Sequence, residues 1–397
     1  MTGVQSHDLI HPGDGVTLAN WQSDAHVHWS FQHVDEIVPT TTIPASPAPA
    51  VLPAFPMPLG DVPVTLADDH TVTASWVMDA SDTDGWAVWR GGQLLAEHYP
   101  RGMQPGTRHL LMSVSKSLVG MTAGILAERG VLDVHRTLES YIPSLAGRGY
   151  GGATVRDLLD MRSGIRFSEE YLDPNAEVRV LEQVIGWAPR TIPDLPTTMY
   201  DFLASLEAKG PHGGPFEYRS GETDMLGWVL EAAAGAPLPS MLADLLWQPM
   251  GAEFDAYIGV DSVGAGMYDG GVCATLRDLV RFGVLLLQDG VSAHGVQVLP
   301  ASWVADTWHG GPDSAEAFAA SPSVTLMPGG MYRNQCWFPD ASRDVLLCLG
   351  IHGQMIYVNR VTGVVAAKLS SWAMPQDAWK LFSTLRTFSA IGASVTR

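Results

Sequence analysis

The stretch Arg108-His109-Leu110-Leu111-Met112-Ser113-Val114-Ser115-Lys116-Ser117-Leu118-Val119-Gly120 sets two serines and a lysine where an apolar helix begins. Apolar and small residues follow at Val114, Leu118, Val119, Met121, Ile125 and Leu126, and Gly130 closes the run, so a helix is expected from Ser113. Residues three apart share a helix face, which lets the Ser113 hydroxyl meet the Lys116 amine. The positive end of the helix dipole and partial burial both disfavour an ammonium, so the expectation is a lysine of lowered pKa that takes the serine proton. The Ser113 amide, unpaired at a helix start, is then free to hold an oxyanion. Read as structure alone, the same residues are a serine-capped surface helix with a solvated lysine. Ser115 points off the shared face and is read as packing.

The chain has 397 residues, 46% of them apolar and 16% charged, an ordinary globular composition with ample length for a large core. A formal charge of −19 argues against nucleic acid or an anionic membrane as partner, because those surfaces need clustered Lys and Arg. There are four lysines, Lys116, Lys209, Lys368 and Lys380, so solubility does not explain the one at 116. The cysteines, Cys273, Cys336 and Cys348, are few and far apart, with no disulfide framework and no Cys-x-x-Cys metal pair. No apolar run approaches the roughly 20 residues of a membrane span, and the first residues carry no basic start, so a soluble cytoplasmic protein is expected.

Residues 38–65 are proline-rich and read as an extended strap. In Gly85–Tyr99, two apolar runs flank Gly91-Gly92, a β-hairpin pattern. Thr154-Val155-Arg156-Asp157 and Thr275-Leu276-Arg277-Asp278 each precede an apolar run as capping boxes. Near the C-terminus, short β-rich runs (DVLLCLG, QMIYVN, GVVAAKLSSW) are separated by turns, and 376–392 reads as helix. Strands from both chain ends with helices between them imply an α+β protein built on an antiparallel sheet. The expected organisation is a 1–65 extension and strap, then a 66–397 domain with its sheet at about 66–110 and 285–397 and a mostly helical insert at about 111–284.

Seven segments in order, HLLMSVSKSL, TVRDLLDMRSGI, EEYLDP, FEYRSGETD, DGGVCATLRDL, GIHGQ and AAKLSSW, carry a resemblance that covers most of the chain from about residue 80. The sequence resembles the serine hydrolases of the penicillin-recognising superfamily, in the class C β-lactamase-like branch. Within that branch it is similar to the 6-aminohexanoate-dimer (nylon-oligomer) hydrolases and related esterases. The resemblance implies a β-lactamase/DD-peptidase-like fold and a Ser113 nucleophile with Lys116 as base. It matches Tyr218-Arg219-Ser220 to the family's Tyr-x-Asn/Ser element, with the Tyr218 phenol passing a proton to the leaving group; Ser220 replaces the asparagine usual in β-lactamases. The family's Lys-Thr-Gly aligns with Cys348-Leu349-Gly350, where Lys and Thr are missing, and this leaves the Ile351 amide as second oxyanion donor. The missing pair argues against an efficient β-lactamase and for substrates that lack its carboxylate. By the same resemblance Tyr171 helps the leaving amine, while Glu182 and Asp269 hold a substrate ammonium; read as structure alone, both are solvated acids. His352 has no acid partner in the sequence and reads as pocket lining.

No Gly-x-Ser-x-Gly elbow and no His-Glu-x-x-His are present. The His-x-His of Asp24–Trp29 is a weak metal signal and reads as structural; no metal and no cofactor is implied. The expectation is an acyl-enzyme serine hydrolase of a small ester or amide, with no nucleic-acid or membrane partner; a homodimer is compatible with the sequence. The rivals are a transacylase using the same residues, a β-lactamase or penicillin-binding protein, and a non-catalytic member of the fold.

Overall fold

Gly91 and Gly92 take φ values of 57° and 89°. This is the left-handed backbone that a two-residue hairpin turn demands and glycine adopts without strain. They join β1 (Thr83–Arg90) to β2 (Gln93–His98). The computed structural model describes residues 13 and 15–396; residues 1–12, part of the expected N-terminal extension, lie outside that range.

Five more strands complete the main sheet: β3 (Met331–Arg333), β4 (Cys336–Phe338), β5 (Val345–Gly350), β6 (Gln354–Asn359) and β7 (Val364–Ser370). The order across the sheet is β2-β1-β7-β6-β5-β4-β3, antiparallel throughout, so strands from both ends of the chain meet where β7 pairs with β1. The sheet is covered on both faces. Ala87, Trp89, Ile356, Val365 and Ala367 join one apolar cluster, and their alternates Trp86, Val88, Met355, Tyr357 and Ala366 join another. Successive strand residues face opposite ways, so a strand with two apolar faces reads as a continuous hydrophobic run.

Four long helices frame the sheet: α1 (Val114–Glu128), α2 (Ser220–Ala234), α3 (Leu276–Leu287) and α4 (Ala378–Val395). Helix α3 lies against β7, β6 and β1, whereas α4 packs over β6 and the short helix Ala74–Ala80. Every residue of α1 from Val114 to Leu126 is buried. An all-round buried helix belongs to the interior, so α1 is no surface helix. The Thr154 box is complete, with both reciprocal hydrogen bonds formed. Thr275 caps α3, but the Asp278 carboxylate turns to Arg281 and the amides of Glu253 and Phe254.

The region expected as mostly helical also holds part of a second sheet. Thr40–Ile43, Ala256–Gly259, Val272–Ala274 and His109–Leu110 pair into four antiparallel strands. These strands are two to four residues long, too short to display alternation. One of them comes from the proline-rich stretch, which is woven into the body. Further along it, the amides of Phe55 and Met57 donate to the carbonyls of Leu94 and Leu95 at 2.9 and 2.8 Å, covering the edge of β2. Upstream, Trp21, Phe31 and Val34 are buried in the main core. His28 of the His-x-His pair bonds Asp84 at 2.7 Å, which accounts for it without a metal.

Candidate active site

Ser113 sits at the N-cap of α1 with φ −68° and ψ −3°, and its side chain caps nothing. Its hydroxyl is therefore left for other partners. Met112, just before it, is in left-handed backbone at φ 47°, which turns the chain sharply from the His109–Leu110 strand into the helix.

One turn into α1, Lys116 is 1% exposed. Its Nζ donates to Ser113 Oγ at 2.9 Å, to Ser220 Oγ at 3.1 Å and to the Asp269 carbonyl at 2.6 Å, with Asp269 Oδ2 at 3.5 Å. Three acceptors match the three donors of an ammonium. Burial works against that charge, but the Tyr218 oxygen and the carboxyl groups of Asp269, Glu169 and Asp224 outweigh it and hold Lys116 above the ordinary lysine range. This corrects the expectation of a lowered pKa: the helix dipole and desolvation are real, but three carboxyl groups surround the amine, and opposite charges at this range dominate.

Helix α2 packs on α1 and begins at Ser220, which brings that hydroxyl to Lys116. Buried Arg219 fixes the helix start by donating to the Ser163 carbonyl at 2.6 Å and to Glu222 at 2.8 Å. Tyr218, just upstream, packs tilted against Trp337 with ring centroids 5.2 Å apart, and Lys116 Nζ lies 5.2 Å from the Tyr218 ring centroid. The Ser113 hydroxyl and the Lys116 amine both bear on the Tyr218 oxygen, yet burial dominates and raises this phenol above the usual tyrosine range. Asp224, one helical turn past Ser220, accepts the Asp269 amide at 3.0 Å and so fixes the loop whose carbonyl holds Lys116.

Gly350 ends β5 beside this centre. A Cβ there would meet the Leu111 carbonyl at 2.5 Å, so only glycine lets β5 approach the turn before Ser113 that closely. The approach sets Ile351 on the same cavity as Ser113. Among the described residues, the amides of Ser113 and Ile351 take part in none of the turn or loop hydrogen bonds. That cavity, about 340 Å³, is also lined by Glu169, Tyr171, Tyr218, Trp337, Leu349 and Trp372.

A serine, a buried lysine and a tyrosine converging at a helix start can transfer an acyl group, and comparison with known proteins assigns them a family. The beta-lactamase family model matches residues 72–381. The chain belongs to the beta-lactamase family. It is 37% identical over 378 residues to a 6-aminohexanoate-dimer hydrolase of Paenarthrobacter ureafaciens, covering 93% of this chain and 92% of that one. A Bacillus anthracis structure provisionally assigned as a 6-aminohexanoate-dimer hydrolase superposes with a TM-score of 0.86 at 27% identity, over 96% of both chains. A family VIII carboxylesterase, 13% identical, shares the fold with a TM-score of 0.60 over 80% of this chain and 96% of that one. This beta-lactamase family member is a serine hydrolase.

The fold of this hydrolase brings together Ser113, Lys116, Tyr218, Ser220, Asp269, Tyr171 and Ile351. Asp269, however, lies behind Lys116, only 4% exposed, and does not line the cavity. Glu182 and His352 face a neighbouring cavity of about 300 Å³ with Arg179 and Trp187. There Glu182 is engaged by Arg179 at 2.8 Å and by Gln22 at 3.1 Å. His352 is in left-handed backbone, donates from Nδ1 to the Trp372 carbonyl at 2.6 Å, and is pushed down to about 4 by burial. Among the described residues, no single helix is long and apolar enough to cross a membrane.

Glu169, Asp224, Met112 and the aromatic walls Trp337 and Trp372 were not found from the sequence. Asp224 carried a signal: it stands four residues after Ser220 on one helix, hence on the same face. Glu169 stands two residues before Tyr171 in a segment already singled out, but an acid in an acid-rich loop has no distinguishing pattern.

Proposed function

We propose that this enzyme cleaves esters and linear amides through an acyl-enzyme on Ser113. The observation that carries the reading is the buried Lys116 Nζ at 2.9 Å from Ser113 Oγ. Lys116, once it has given up a proton, takes the Ser113 proton as Oγ attacks the carbonyl carbon. The amides of Ser113 and Ile351 hold the oxyanion, Tyr218 passes a proton toward the leaving group, and Tyr171 serves a leaving nitrogen. Ser220 and Asp269 hold Lys116 in place. Water then releases the acid by the same route.

The walls support substrates with an apolar chain and no carboxylate beside the scissile bond. Leu349 faces the cavity where a β-lactamase has threonine, and Cys348, in place of its lysine, is fully buried. With no cation on that strand, a β-lactam carboxylate has nothing to grip it. The three cysteines are free and buried, which fits a reducing cytoplasm.

Replacing Ser113 by Ala should reduce hydrolysis of a p-nitrophenyl ester to background while the thermal unfolding transition is kept. Turnover that survives in the folded variant would remove Ser113 from the reaction.

A further inference from the structure

A base must have room for a proton, and Lys116 as an ammonium has none: Ser113 Oγ, Ser220 Oγ and the Asp269 carbonyl take its three donors. Catalysis therefore needs a place for one lysine proton to go. The Asp269 carbonyl cannot pass a proton on, and Ser113 is the nucleophile. Of the three acceptors Ser220 Oγ remains, and a hydroxyl both accepts and donates.

Beyond Ser220 stands Glu169. Its Oε1 accepts the Ser220 amide, and its Oε2 is buried with no hydrogen-bond partner. A buried carboxyl oxygen without a partner is costly; Asp224 Oδ2 and Asp269 Oδ1 share that condition, but of the three acids Glu169 alone lines the cavity. The hydroxyls of Ser220 and Tyr171 lie near enough to favour the charged form of this carboxyl group, although in the resting site neither is hydrogen-bonded to it. Such contacts are often loose before substrate arrives and tighten in the complex. Glu169 also lines the cavity beside Ser113, Tyr171 and Tyr218. Asp269, the other acid close to Lys116, does not reach that cavity, so it cannot serve a leaving group.

We propose that Glu169 is the proton reservoir of the site, taking one proton from Lys116 through Ser220 and delivering it to the leaving group through Tyr171. This rests on the Ser113 acyl-enzyme reading. The protons balance. Lys116 gives one to Ser220 Oγ, whose own proton passes to Glu169. Neutral Lys116 then takes the Ser113 proton as Oγ bonds the carbonyl carbon. When the C–N bond breaks, its electron pair stays on nitrogen, which takes the Tyr171 proton; Tyr171 recovers one from Glu169. Acylation ends with Lys116 charged and Glu169 ionised, as it began. The exchange also gives a function to serine at 220, because an asparagine amide there could not relay a proton.

Lys116 from α1, Ser220 and Asp224 from α2, Tyr218, Tyr171 and Asp269 are the polar groups around this path. Burial raises Glu169 above the ordinary glutamate range while Lys116 opposes the shift. Protonating Glu169 from solvent fills the reservoir and blocks the exchange, so the path fails at low pH.

The test compares wild type with Glu169→Gln, Glu169→Asp and Ser220→Asn on a p-nitrophenyl ester, whose leaving group needs no proton, and on an alkylamide of the same acyl chain. Glu169→Gln should lower amide kcat about 100-fold and the ester by about tenfold at most, and should remove the acid limb of the amide pH profile. Ser220→Asn should repeat this pattern, which keeps the test open if Glu169→Gln fails to fold, and Glu169→Asp should regain part of the amide rate. Equal losses on ester and amide with an unmoved acid limb would overturn the relay. Absence of any Ser113-dependent turnover in wild type would instead overturn the hydrolase reading beneath it.

Discussion

Two backbone positions hold Ser113 in place. Left-handed Met112 turns the chain into α1, so that the Ser113 hydroxyl is not consumed as a cap and faces Lys116. From the other side, Gly350 lets β5 close on the Leu111 carbonyl, one residue before Met112. Both positions therefore set the geometry of one turn. Gly350→Ala should force that contact apart, costing about 1–3 kcal/mol of stability as an overpacked site does. It should also displace the Ile351 amide and lower ester kcat by about 100-fold with KM little changed, the effect of losing one oxyanion donor. Denaturant midpoints and steady-state kinetics check both parts; an alanine variant with wild-type kcat would separate Ile351 from the reaction. The charge state of Lys116 is also decided at this scale. Its helix position alone argues for a neutral amine, and its neighbours reverse that.

At the scale of the element, β7 carries a lysine in a strand that is otherwise buried on both faces. Lys368 is 0% exposed, bonds Ser370 Oγ, and lies 5.1 Å from the ring centroid of Trp372, a wall of the Ser113 cavity. Burial brings its pKa down to about 7, against the opposing pull of Asp84 and Asp82, from an ordinary value of 10.5. In that window the unfolded chain binds more protons at this residue than the folded one. Its contribution to stability therefore grows as pH rises from about 7 toward 10.5, and is lost as pH falls back. Lys368→Met keeps the volume and removes the titration. The difference in unfolding free energy between wild type and variant, measured in urea at pH 7, 8 and 9, should change steadily in favour of wild type as pH rises. A difference that does not vary with pH would mean that Lys368 keeps an ordinary pKa. The elements themselves were legible where local chemistry is strong: the Gly-Gly hairpin, the Thr154 box, the helix after Ser113 and the three C-terminal strands all lie where the residue pattern puts them.

At the scale of the molecule, what stayed hidden is what depends on distant segments meeting. The second sheet is assembled from four short strands between Thr40 and Ala274, none long enough to leave a periodic trace. The proline-rich stretch looked like a strap because proline cannot donate within a ladder; it supplies two short strands, Thr40–Ile43 and Pro63–Thr65, and covers a sheet edge. The carboxyl cluster around Lys116 draws Glu169 from a loop, Asp224 from α2 and Asp269 from another loop. No spacing rule joins those three positions. Likewise, Glu182 and His352 fall on the neighbouring cavity, and residues successive in sequence divide between the two: Tyr171 and Ile351 line one, Leu172 and His352 the other. Ser113, Lys116 and Tyr218 were singled out through short motifs, and the fold brings them together; the electrostatic surroundings that set their protonation were not legible.

The central claim is a covalent acyl-enzyme on Ser113, and direct trapping tests it. The protein is mixed with a p-nitrophenyl ester, quenched in acid within the first turnovers, digested and weighed by mass spectrometry. The account predicts the mass of the acyl group on the peptide that holds Ser113, in amount matching the burst of p-nitrophenol, and none in Ser113→Ala. A burst whose acyl mass lies on another residue, or full turnover with unmodified Ser113 at every quench time, would contradict it.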